Sequence, residues 1–172
     1  MAHAPPTPTW LLTLRAYGTR LPGAAEGWTS RATSRSPSRY REANPALEAH
    51  SRRIMRWPPM RFDTPRRALV RDAIRGLCVE QRWELHALAV TSDHVHALVT
   101  SGAAPVELRR AIKRDVTMAL KLADLVPREV QVWADYGNVW RINSEARFHL
   151  ARAYVHRHNR RSAGGDGCLK WR

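Results

Sequence analysis

The chain has 172 residues, is 44% hydrophobic and carries a formal net charge of +14, which suits one domain with a real core and some irregular segments. Only Lys113, Lys121 and Lys170 are lysines, so the excess is arginine, whose planar fork suits phosphate; it favours a nucleic-acid partner, with a general arginine bias of the source as the plainer explanation. No apolar run approaches the roughly 18 residues of a bilayer span and Met1 to Pro6 do not read as a signal peptide, so a cytoplasmic protein is expected.

Residues Met1 to Pro8 are proline-rich and read as loose. Trp10 to Tyr17 form the first strand candidate, broken at Gly18 and followed by a turn at Leu21-Pro22-Gly23. From about 22 to 62 runs an excursion rich in Pro, Ser, Gly and Arg, with one helix expected at Pro45–Arg56 behind an Asn44 cap. A firmer helix begins at Asp63 or Thr64, with Leu69, Ala73, Ile74, Leu77 and Cys78 as its apolar stripe. Cys78 reads as core, and neither it nor Cys168 has metal-ligand or disulfide spacing.

Two apolar runs follow, Leu85–Val90 and His94–Thr100, separated by Thr91-Ser92-Asp93. They read as an antiparallel pair. A second amphipathic helix is expected from Pro105 to Leu125, burying Leu108, Ile112, Val116, Ala119, Leu120 and Ala123. Its other side carries Arg109, Arg110, Lys113, Arg114 and Lys121, either a DNA-facing ridge or a solvated face. Val130–Trp133 and Asn138–Ile142 are strand-like around a turn at Ala134–Gly137, and one or both supply the last strand. A final helix starts after Asn143 or Ser144 and runs to about His158, before a Gly-rich tail.

The order β-α-β-β-α-β-α predicts an α+β fold: a ferredoxin-like split β-α-β, its antiparallel sheet covered by helices on one face, plus a C-terminal helix for the other. A single domain is expected over 1–160, with 161–172 a flexible basic tail.

Within this frame, His94 and His96 project side by side from one strand face, as two ligands of one metal would. On the last helix Tyr154 and His158 lie four apart on one face, beside a stripe of Phe148, Ala151 and Val155, and can be aimed at the strand pair. His156, two residues from His158, points about 200° away around the helix. The plainer alternatives are hydrogen-bonded strand histidines and a packed helical tyrosine.

A strand His-Val-His followed by a helical tyrosine resembles the single-tyrosine HUH transposases, particularly the group related to REP-associated tyrosine transposases. The likeness extends to Leu12–Gly23, Arg66–Glu80, Asp93–His96, Tyr136–Trp140 and Ala153–Val155. It implies metal-dependent cleavage and rejoining of single-stranded DNA, possible hairpins included, through a 5′-phosphotyrosine. Tyr154 would be the nucleophile, and His94, His96 and His158 would hold a divalent ion, Mg2+ or Mn2+, with Asn159 a further metal or substrate contact. Arg15, Arg20, Arg109, Arg110, Lys113, Arg114, Arg157, Arg160 and Arg161 would bind the DNA. The family commonly has a carboxamide four residues after its tyrosine, where this chain has His158. Two other readings stand beside this one: a non-catalytic nucleic-acid binder on the same scaffold, and a nuclease that uses water. Monomer and homodimer are both open, as is whether Tyr154 meets its own subunit's histidines.

Overall fold

Alternation along one strand divides this molecule into two cores. In the computed structural model, which describes residues 7–28 and 41–162, the elements are β1 (Thr9–Ala16), α1 (Pro45–Arg53), α2 (Thr64–Glu80), β2 (Glu84–Val90), β3 (His94–Thr100), α3 (Pro105–Leu122), β4 (Trp133–Ile142) and α4 (Glu145–Ser162). The four strands lie in the order β2-β3-β1-β4, every neighbouring pair antiparallel, as a split β-α-β requires. Val95, Ala97 and Val99 of β3 enter the larger core with Leu12 and Leu14 of β1, Ile74 and Leu77 of α2, and Ile112 and Val116 of α3. Leu98, from the alternate set, joins Leu11, Ala87 and Ala89 under Ala151, Tyr154 and Val155 of α4. The fold is therefore α+β, with α2 and α3 on one sheet face and α4 on the other.

The helix starts follow from local chemistry. Asn44 accepts from the Leu47 N–H at 2.9 Å and Asp63 from the Arg66 N–H at 3.1 Å, each followed within two residues by a helix-opening proline. Burial of the Cys78 thiol among the α2 core residues pushes its pKa up to about 11, as suits an inert core cysteine.

Several expectations are corrected. The turn expected at Ala134–Gly137 is continuous strand: Gly137 pairs with Leu14, Trp133 pairs with Ala16, and the register shifts between Leu14 and Ala16. A bulge absorbs the turn-like residues, and Gly137 is needed where a Cβ would lie 2.9 Å from Leu14 and from the Thr13 carbonyl. Tyr136 is thus a strand residue and not, as expected, a turn residue. α1 ends at Arg53 and α3 at Leu122, three residues early in each case. Ala123, expected inside, is exposed at the end of α3, and Asp124 turns the chain off with φ of 52°. α4 runs on to Ser162, past the boundary expected at 160, so 161 and 162 are helical; the rest of the expected tail, 163–172, lies outside the described residues, as do 1–6 and 29–40.

The excursion is also better anchored than its composition suggests. Trp28 and Arg41 form a bridge, and the Gly23 carbonyl accepts from Asn44 at 2.9 Å; Gly23 itself, at φ +90°, sits against Asn44 and Glu48 where a side chain would clash. At its far end Met60 and Phe62 are buried in the main core. Their N–H groups donate to the carbonyls of Tyr17 (2.9 Å) and Ser92 (2.7 Å), and the Phe62 ring stands edge-on to Trp133 at 5.4 Å. A short apolar pair in a polar stretch carries no periodicity, so the sequence does not reveal it. Phe62→Ala should cost about 3–5 kcal/mol in urea unfolding, whereas a solvated loop position would cost under about 0.5 kcal/mol.

Candidate active site

β3 begins with His94, and its alternation places His94 and His96 on the α4 face. α4 supplies Tyr154 and His158 from one helical face, their rings edge to face at 4.7 Å between centroids. The four rings form one cluster. His94 lies 4.7 Å from His96 and 5.3 Å from His158, His96 lies 4.4 Å from His158, and Tyr154 lies 4.9 Å from His96. The Tyr154 hydroxyl is 3.3 Å from Nε2 of His96. All four residues belong to one chain, so no partner subunit is needed to bring phenol and imidazoles together.

His94, His96 and His158 each offer a ring nitrogen, and these atoms lie within 4.8 Å of one another, the only such metal-competent group among the described residues. The residues are 3%, 2% and 1% exposed, too little for water to solvate three imidazolium charges. Burial first, then the charges of His94, His158 and Arg15, hold His96 well below the ordinary histidine range, against an opposing pull from Asp93. A neutral imidazole is the form that binds metal. Nε2 of His94 is buried without a hydrogen-bond partner among the described residues, a cost that a metal ligand avoids by donating its lone pair to the ion. The donor set therefore fits a divalent ion.

The opposite ring nitrogens are held. Nδ1 of His94 lies 2.6 Å from Oδ1 of Asp93 and 2.9 Å from the Thr91 hydroxyl, and Nδ1 of His96 lies 2.9 Å from the Thr13 hydroxyl. Burial pushes the Asp93 carboxyl up. The hydrogen bond and charge of His94, the Thr91 hydroxyl and the charge of Arg15 outweigh it and hold the group well below the usual carboxylate range. Sequence reasoning missed these three supports. Asp93 was open to view as the neighbour of His94, but Thr13 emerges only from the β1–β3 register, which sets it opposite His96.

Comparison with solved structures decides the architecture. The fold is shared with a tyrosine transposase. A REP-associated tyrosine transposase, solved bound to a REP hairpin, superposes with a TM-score of 0.51 at 15% identity, over 91% of this chain and 68% of that one. A Deinococcus radiodurans protein provisionally assigned as a transposase gives 0.47 at 14% identity, over 92% and 95% of the two chains. No family model and no curated protein sequence matches the chain.

The remaining expected residues divide by position. Arg15 pairs across the sheet with His94, on the site's side, with Nη1 3.8 Å from Oδ2 of Asp93. Arg157 is exposed on α4, one residue from His158, and Arg20 donates to the Glu26 carbonyl at 3.2 Å. Asn159 is not brought to the histidines: its amide donates to the Leu88 carbonyl at 2.7 Å, tying α4 to β2. The α3 ridge lies across the sheet from the cluster. Arg109 donates to the Gly137 carbonyl (3.2 Å) and Lys113 to those of Ala134 (2.5 Å) and Asp135 (3.2 Å); Arg110 and Arg114 are exposed on the same helix. Burial and then Arg109 bring the Lys113 ammonium down to about 8, against Asp135. The side chains of Arg160 and Arg161 lie outside the described residues. Trp133 is core, and its indole donates to the Lys113 carbonyl.

His158→Ala should weaken binding of Mn2+ by at least the roughly tenfold that loss of an outer-shell partner costs, whereas His156→Ala, exposed on the far side of α4, should leave it unchanged. Isothermal titration of both variants checks this.

Proposed function

We propose that the protein cleaves and rejoins single-stranded DNA through a 5′-phosphotyrosine on Tyr154. The observation that carries this reading is the Tyr154 hydroxyl 3.3 Å from Nε2 of His96, at the edge of three buried, clustered imidazoles. A core tyrosine needs one hydrogen-bond partner and a core histidine two; a nucleophile set against a metal-competent triad answers to a more specific demand. The shared fold supports the reading, and so does the hairpin DNA held by the neighbouring transposase, which favours a strand with a hairpin beside the cut.

His94, His96 and His158 would hold the divalent ion. Bound there, it supplies Lewis-acid polarisation of the scissile phosphate and steadies charge on the departing oxygen. Three imidazoles suit Mn2+ and later first-row ions better than Mg2+, which prefers oxygen ligands, so Mn2+ should serve at least as well. The Tyr154 oxygen bonds to phosphorus as the bond from phosphorus to the 3′ oxygen breaks. The phenolic proton ends on the 3′ hydroxyl, and the 5′ phosphate remains on the enzyme. One phosphodiester is exchanged for another, so rejoining is the same step run backwards and needs no nucleotide triphosphate. Arg15 and Arg157, near the cluster, are the cations best disposed to hold the strand, with Arg20 a further candidate; the charge on α3 lies on the opposite sheet face. With phenol and imidazoles supplied by one chain, we propose that a monomer suffices for the cut.

With Mn2+ and a 3′-labelled, hairpin-bearing single-stranded oligonucleotide, the wild-type protein should form a denaturation-resistant adduct with the downstream fragment, whose 5′ phosphate the tyrosine holds, seen on a denaturing gel. Tyr154→Phe should form none. Cutting without an adduct would instead indicate water as nucleophile. Salt-sensitive binding with no cutting, unaltered in His94→Ala and His96→Ala, would reduce the protein to a binder.

A further inference from the structure

The turn between β2 and β3 is held more firmly than a hairpin of its length requires. The Ser92 carbonyl accepts from Phe62 at 2.7 Å, and the Asp93 carbonyl accepts from the Ala16 N–H at 2.8 Å and from the Thr19 hydroxyl at 3.4 Å. Within it the Thr91 hydroxyl donates to Oδ1 of Asp93 (2.9 Å) and accepts from the N–H groups of Asp93 (3.3 Å) and His94 (3.0 Å). A turn former would be satisfied by those bonds alone. The Asp93 carboxylate nevertheless also reaches Nδ1 of His94 at 2.6 Å, the short distance of a charge-assisted bond, while Arg15 stands 3.8 Å from its other oxygen.

An ionised carboxylate only accepts, so the shared proton sits on Nδ1 and the lone pair of the His94 ring is left on Nε2. That is the nitrogen buried without a hydrogen-bond partner among the described residues. We propose that Asp93 is a positioning residue: by accepting the Nδ1–H of His94 it fixes the ring's tautomer and plane, directs Nε2 into the three-histidine cluster, and so sets the affinity of that cluster for a divalent ion. The inference rests on the metal reading of the site and deepens it by naming what orients the first ligand. His96 is supported differently. Its Nδ1 meets the Thr13 hydroxyl, which can donate or accept and therefore selects no tautomer. The carboxylate thus presets the His94 ring as a ligand.

The test uses the full-length protein and Co2+, whose visible absorption reports its coordination. Asp93→Asn keeps the side chain's shape and an acceptor oxygen without the charge; Asp93→Ala removes both. Co2+ affinity should fall by roughly 10–100-fold in the alanine variant and by an intermediate amount in the asparagine variant. Long-range nitrogen–proton spectra of the metal-free protein should show His94 protonated at Nδ1 in the wild type and shifted towards the Nε2-protonated form in Asp93→Ala. A merely structural aspartate would lower the urea midpoint and leave both readouts in place. Should Asp93→Ala not fold, Asp93→Asn carries both measurements. Unchanged Co2+ affinity and an unchanged His94 tautomer in the variants would overturn the role given to Asp93 and leave the metal reading standing. A wild-type protein that does not bind Co2+ would overturn both.

Discussion

Everything at the candidate site depends on the phase of one strand. β3 is seven residues long and buried from end to end on both faces until Thr100, so a slip of one residue would drive His94 and His96 into the core beside Ile112 and Val116 and turn Val95 out towards α4. The energetic difference between those registers is large, because Val95, Ala97 and Val99 would exchange places with two imidazoles and Leu98. The main core thus selects the register, and the register presents the histidines. Fold stability and site geometry rest on the same alternation.

Burying three imidazoles together imposes a second constraint. Each is a latent cation, and His96 is held neutral by burial and by the charges near it. Among the hydrogen bonds described around the cluster, Asp93 supplies the one carboxylate, and it sits behind His94 rather than among the facing nitrogens. A carboxylate in that position orients one ring without standing among the facing nitrogens. In the proposed reading this keeps the donor set purely imidazole.

Much of this could be read from the sequence, for identifiable reasons. The two amphipathic helices, the hairpin and the Tyr154/His158 face all depend on short-range periodicity, and each is present. What could not be read depends on contacts remote in sequence. Met60 and Phe62 are core residues only because the sheet lies beneath them, and Ala134–Gly137 is strand only because β1 offers a partner and a bulge. For the α3 cations the sequence shows charge but not what faces it. Arg109 and Lys113 face β4 carbonyls, while Arg110 and Arg114 share their helix on the side of the sheet away from the histidines. The Asn159 amide is a like case: it meets a backbone carbonyl of β2, a contact that no spacing in the sequence points to.

The reach of Tyr154 is set by small side chains. α4 rests on β2 and β3, and the residues between helix and strands include Ala87, Ala89 and Ala151, with Val155 and Leu98 beside them. Sheet-facing alanines let a helix settle close, because the distance between the two layers is fixed by the bulk between them. At that distance a tyrosine and a histidine one turn apart span the gap to the strand histidines. Phe148 nearer the start of the helix and the Asn159 amide near its end hold it at both limits. Larger residues at Ala87 or Ala89 would lift α4 and separate phenol from imidazole without touching any polar group. The apolar interface beneath α4 is therefore as much a determinant of the site as the four rings.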